Sequence, residues 1–187
     1  LYELTIEERT AFGKRAARGD FIPMADDDQA DLYDLTQEVC EAHGLPAYEV
    51  SNHARAEAYQ SRHNHIYWAN GDWIGVGPGA HGRLTIDGHR LATEAEKRPA
   101  DYVEAQKPGQ NTLSQQDTAT EFLAMALRPT RGLNLERFET LFGVPVDSNV
   151  VSNLSDQKLA EQDGDQLRLT QSGRLMADYI ASLLVPY

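Results

Sequence analysis

Residues 24–50 set charged and apolar positions in a helical order. Asp26, Asp27 and Asp28 precede Leu32, Leu35, Val39 and Ala42 at three- and four-residue spacing, and Gly44 follows. The spacing predicts a helix with carboxylates at the positive end of its dipole and a glycine stop. The next stretch, "PAYEVSN" (residues 46–52), reads as a short strand, and a helix, a glycine and a strand in succession are the grammar of an α/β layer. Residues 1–6 alternate loosely enough to be a buried strand, after which "IEERTAFGKRAARGD" turns polar and helical. Residues 72–95 look like strand material, with Asp87-Gly88 between apolar alternations as a hairpin turn.

From about Asn111 the character of the chain changes. Ser114 is placed to cap a helix carrying Ala119, Phe122, Leu123, Ala126 and Leu127 on one stripe, and "NLERFETLFG" repeats the pattern with Leu135, Phe138 and Leu141. A further helix, a short β-turn in "DGDQLRLT" and a last helix complete an order that resembles a winged-helix module.

Composition narrows the classes. The 187 residues carry 17 Lys+Arg against 29 Asp+Glu, a formal charge of −12, which argues against a chain that wraps nucleic acid. Cys40 is the one cysteine, so no intramolecular disulfide is possible, and the chain alone cannot supply the thiolates of an iron–sulfur cluster. It lies on the apolar side of its helix and reads as packing. No apolar run approaches the roughly 20 residues of a membrane span, "YIASLLVPY" being the longest candidate. The chain starts on strand-like residues without an initiator Met, and we read it as a piece of a longer protein cut within a domain.

Candidate chemistry concentrates in "SRHNHIYWANGDWIGVGPGAHGRL" (residues 61–84), which holds five of the fourteen glycines, three of the six histidines and both tryptophans. Gly75, Gly77 and Ala80 fit G-x-G-x-x-A, but a hairpin follows where a dinucleotide loop requires a helix, so that reading is rejected. For Gly75, Gly77 and Gly79 two readings stay open, a tight turn ending a strand and a backbone ledge against a ring ligand. His63 and Tyr67, and likewise Asn64 and Trp68, are four apart and share a face on a helical turn. An imidazole beside aromatic rings suits haem, whose iron takes an axial histidine; the alternative is a turn-capping histidine beside core aromatics. His65 is expected at the surface, His43 at a helix end, and His53 and His89 carry no signal.

The motifs "YEVSNHA", "SRHNHIYW", "GVGPGAHGRL", "ATE", the "GL" of the tail and "LRLTQSGRLMAD" together resemble, in this order, radical SAM proteins related to oxygen-independent coproporphyrinogen III oxidase, and specifically their HemW branch of haem chaperones. "LYELTIEERTAFG" resembles the last strand of their partial barrel and the segment after it. The H-N-x-x-Y-W signature, here His63, Asn64, Tyr67 and Trp68, is associated with haem binding in that branch, with His63 the implied ligand of haem iron. The CxxxCxxC motif that holds the family's 4Fe–4S cluster is not in this sequence, nor are most of the positions that bind S-adenosylmethionine. Thr5 and His81 match positions that touch that cofactor, and the glycines join them as one edge of its pocket. His53 stands where the family usually has an aromatic residue.

The resemblance implies an α+β architecture. Residues 1–110 are expected to be the end of a radical SAM partial (β/α) barrel with a β-hairpin extension. Residues 111–187 are expected to be a helical, winged-helix-like C-terminal domain. A first part without its partner strands should show an open edge and an uncovered apolar face. The implied function is a cytoplasmic protein that binds haem and delivers it to haem-accepting proteins. It would have no DNA partner and no transmembrane segment, peripheral membrane association staying open, and the missing N-terminal half would be its covalent partner. The alternatives are an oxygen-independent coproporphyrinogen III oxidase of porphyrin biosynthesis and an acidic winged-helix-like interaction module. With one cysteine, the chain by itself is expected to be inactive toward S-adenosylmethionine.

Overall fold

Residues 6–105 and 107–186 are described by the computed structural model, and they fall into two packed units, one ending at Gln60 and one beginning at Ser61. In the first, α1 (Ala11–Ala17) opens where the Thr10 hydroxyl accepts from the Gly13 N–H at 3.1 Å. α2 (Asp26–Ala42) carries the three aspartates in its first turn and ends at His43, whose Nδ1 lies 2.7 Å from the Val39 carbonyl oxygen. The covered side of α2 is polar. Tyr33 donates to the Val50 carbonyl at 3.1 Å, and the buried Gln37 places its Oε1 3.1 Å from His53 Nε2. Burial holds the His53 imidazole below its ordinary pKa. Leu32, Leu35 and Val39 lie on a different face and are each about half exposed.

The strand expected over residues 46–52 is reduced to isolated bridge residues at Ala47 and Glu49. Ala47 makes an isolated bridge to His53, while the Tyr48 and Ala54 amides donate back to the Asn52 and Pro46 carbonyls. Glu49, only 1% exposed, accepts with its carboxylate from the Ser51 amide at 2.6 Å and from Asn52 Nδ2 at 2.7 Å. The strand expected at residues 1–6, and Thr5 with it, lies outside the described residues except for Ile6.

The second unit begins with α3 (Arg62–Trp68). A three-stranded antiparallel sheet of order β1-β2-β3 follows, made of β1 (His81–Ile86), β2 (His89–Glu94) and β3 (Gly109–Thr112), with α4 (Pro99–Glu104) between the last two. Asp87 and Gly88 turn the hairpin with φ of 51° and 78°, the two positive values of a type I′ turn, which sets Ile86 opposite His89. Upstream, the strand material expected from residue 72 is reduced to one isolated bridge, Trp73 to Arg83.

Beyond the sheet, α5 (Gln115–Ala126) starts in a full capping box between Ser114 and Asp117, and its predicted stripe is buried. Short β4 (Leu133–Asn134) leads into α6 (Leu135–Phe142), where the stripe is shifted by one residue. Phe142 faces inward while Leu141 is half exposed, because Phe138 and Phe142 are four apart. The rings of Phe122, Phe138 and Phe142 meet at centroid distances of 4.8 to 5.9 Å. α7 (Ser148–Asp156), β5 (Ala160–Asp163) and β6 (Gln166–Leu169) follow, with β6 between β4 and β5 in a second antiparallel sheet. After α8 (Gln171–Arg174), α9 (Ala177–Leu184) packs on α5 and buries Ile180 and Leu184. The architecture is mixed helix and sheet.

Candidate functional site

α3 forms because Ser61 caps it, its hydroxyl accepting from the Asn64 N–H at 3.3 Å. At the other end the Ala69 carbonyl accepts from Arg137 Nη2 at 2.7 Å, which fastens the helix to α6. Trp68 is 5% exposed, so its ring is a core anchor without an open face for a ligand. His65 is half-buried rather than at the surface, since its ring meets Trp68 edge-on at 5.2 Å. Asn64 contributes its backbone N–H to the cap.

With that side anchored, His63 is left on the exposed side. The spacing of four brings Tyr67 onto it as expected: Tyr67 Oη lies 2.6 Å from His63 Nε2 and the rings meet edge-on at 4.5 Å. Ile66, one turn on from His63, is also exposed. Tyr67 rests in turn edge-on against Trp73, at 4.5 Å and 88°.

Trp73 is gripped by two arginines of the hairpin. The Arg83 and Arg90 guanidinium carbons lie 5.8 and 5.6 Å from its ring centroid. Arg83 makes a bidentate pair with Glu121 of α5, at 3.0 Å from Nε and 2.6 Å from Nη2, and that bonding raises its pKa above the ordinary value. Buried Arg90 donates to the Gly71 carbonyl at 2.8 Å and pairs with Asp72, which also accepts from the Thr85 amide at 2.8 Å and its hydroxyl at 2.9 Å. The amide of Thr85 is the chief reason that the Asp72 carboxyl is held below its ordinary pKa, with Arg90 adding to it. Trp73, Arg83, Arg90 and Asp72 escaped the sequence reading, although one signal was available. A two-residue turn at Asp87-Gly88 sets Thr85 opposite Arg90, and Arg83 is then its diagonal neighbour on the same face.

The glycine segment is a second locus. A Cβ at Gly75 would sit 2.4 Å from the His81 carbonyl oxygen, so this glycine serves the approach of the chain's own strand. Gly77 and Gly79 have φ of 111° and 69°. Their amides donate to Tyr102 Oη at 3.2 Å and to the Glu96 carbonyl at 2.8 Å. Gly77 and Gly79 thus lie in a turn, and Gly75 at a close approach to β1. The side of Gly77 that a Cβ would occupy faces open space. His81 opens β1, exposed, with Nε2 3.9 Å from the Glu94 carboxylate across the hairpin. Hydrogen bonding to Lys97 lowers the pKa of Glu94. Thus the structure gathers His63 with Tyr67, and Gly75 with His81, while Trp68 turns inward. Among the described residues no helix is long and apolar enough to cross a membrane.

The HemN C-terminal domain family model matches residues 113–176, which span α5 to α8. A heme chaperone HemW of Mycobacterium tuberculosis is 34% identical across 98% of this chain and 46% of its own length, and that of Escherichia coli is 30% identical across 98% and 48%. Radical S-adenosyl methionine domain-containing protein 1, mitochondrial, of Mus musculus is 34% identical across the whole chain and 46% of itself. The chain therefore spans about half the length of the curated relatives it matches. Among solved structures, the radical SAM coproporphyrinogen III oxidase HemN of Escherichia coli shares the fold at a TM-score of 0.62 and 15% identity, over 88% of this chain and 42% of that one. By its similarity along nearly the whole length to HemW proteins, together with the HemN C-terminal domain match in its tail, the chain belongs to the HemW-like family.

Proposed function

We propose that the chain is part of a cytoplasmic haem chaperone, in which α3 presents the cargo-binding side chains and haem is passed on to acceptor proteins. The observation that carries this reading is the exposed imidazole of His63 on a helix whose other side is anchored by Trp68. An exposed donor beside an aromatic ring and an exposed aliphatic residue, Ile66, suits a flat apolar cargo that must be released again. A resident cofactor would call for an enclosed pocket.

The rest of the family's equipment belongs to the longer protein. S-adenosylmethionine and a 4Fe–4S cluster would be held mainly outside this sequence, with Thr5, His81 and the Gly75, Gly77 and Gly79 segment lending one edge. The division near residue 110, with a partial barrel before it and a winged-helix-like tail after it, is supported by the start of the family match at residue 113 and by the hairpin of β5 and β6 behind α7. The likeness to the HemN oxidase favours a second reading, radical decarboxylation of coproporphyrinogen III.

Titration of the full-length protein with haem tests the first reading. His63→Ala is expected to weaken binding and shift the Soret band, and His65→Ala to do so much less. Identical titrations for all three proteins would remove His63 from the site. Conversion of coproporphyrinogen III by the full-length protein with its cluster reconstituted would favour the oxidase.

A further inference from the structure

We propose that Tyr67 chooses the imidazole nitrogen that His63 offers to haem iron, holding Nε2 and leaving Nδ1 as the donor. This deepens the haem reading and rests on it. Neutral imidazole carries one ring proton. If the Tyr67 hydroxyl donates across the 2.6 Å contact, the ring proton sits on Nδ1 and neither nitrogen is free. If instead Nε2–H donates to Tyr67 Oη, the Nδ1 lone pair is open. Only the second arrangement supplies an axial donor while keeping the contact. The change needs no net proton: the ring proton moves from Nδ1 to Nε2, and the phenol O–H turns to solvent.

The surroundings favour keeping the contact. Among the described residues His63 Nδ1 has no hydrogen-bond partner, and the side chain is exposed. Offering Nε2 would require breaking the Tyr67 bond, and Tyr67 is not free to swing aside. Its ring is set against Trp73, which Arg83 and Arg90 hold through their ties to Glu121, Asp72 and the Gly71 carbonyl. A ligating imidazole that donates its other N–H has a fixed tautomer and a stronger donor nitrogen. Tyr67 is therefore a positioning residue, and His63 is the ligand.

The direct test uses the full-length protein labelled with 15N-histidine and loaded with zinc protoporphyrin, a diamagnetic stand-in that accepts one axial imidazole. The ring proton of His63 is expected on Nε2; a proton on Nδ1 with the metal at Nε2 overturns the proposal. In parallel, ferric haem is titrated into wild type, Tyr67→Phe and His63→Ala. Phenylalanine keeps the ring against Trp73 and removes only the hydroxyl, so its melting temperature should stay put while affinity falls on the order of tenfold. Unchanged affinity in Tyr67→Phe, with a clear loss in His63→Ala, overturns the role of Tyr67 and leaves the haem reading standing. Wild-type binding by His63→Ala overturns both.

Discussion

The two units differ in the large side chains that they bury. Up to Gln60 the described residues that are fully buried include Gln37 and Glu49 and no large apolar side chain, while Leu32, Leu35 and Val39 stay half exposed. From Ser61 on, Phe122, Leu123, Leu127, Phe138, Leu167 and Ile180 are all sealed. Soluble chains seldom leave a helical stripe of leucines open while burying a carboxylate, so the stripe on α2 is a surface that a partner could cover.

The largest effect should come from the sealed side. Phe138→Ala removes a ring that touches both Phe122 and Phe142, and burial of this kind is worth about 3–5 kcal/mol. Urea unfolding of the 187-residue chain should show that loss in the midpoint. A change below about 1 kcal/mol would mean that the aromatic cluster is loosely packed, and the contrast between the units would collapse.

An intermediate effect is expected where the hairpin holds the site. Asp72→Asn weakens three hydrogen bonds to Thr85 and Arg90, and because Asp72 is substantially exposed the cost is discounted to about 1 kcal/mol. The sign with pH is set by the lowered pKa: the stabilisation is complete above the ordinary aspartate value and is lost as pH falls through the folded value. Thermal melts of wild type and Asp72→Asn should therefore converge on acidification below about pH 4. A gap that stays constant down to the acid limit would assign the effect to packing.

Legibility divides along the same lines. Signals that act within a few residues were read correctly: the Ser114 cap, the aspartates opening α2, the Asp87-Gly88 turn and the pairing of His63 with Tyr67 four residues on. Each depends on backbone geometry that neighbours dictate. What failed depended on finer or more distant contacts. "PAYEVSN" has strand-like alternation, yet only Ala47 and Glu49 are bridge residues, and the Glu49 carboxylate bonds locally to Ser51 and Asn52. Leu141 is off by one position on its helix, since periodicity gives a face only to within about one residue, and His65 is half-buried through its contact with Trp68. The occupation of His63 Nε2 was beyond reach, because spacing says that two rings meet and not which atoms bond.

The smallest effect on the chain itself is expected at the open stripe, and it cuts most directly into the contrast. Leu35→Ser replaces a half-exposed leucine on α2, so urea unfolding of the 187-residue chain should move by no more than about 0.5 kcal/mol, as for other surface changes. The same substitution should reduce self-association of that chain, because it interrupts the apolar run between Leu32 and Val39. In the full-length protein the outcome reverses: a leucine covered by the remainder should cost about 2 kcal/mol or more when replaced. Sedimentation and unfolding of both lengths, with and without Leu35→Ser, separate the cases. Equal small effects in both would show that this face is open in the longer protein too, and that polar burial in the first unit needs no cover to explain it.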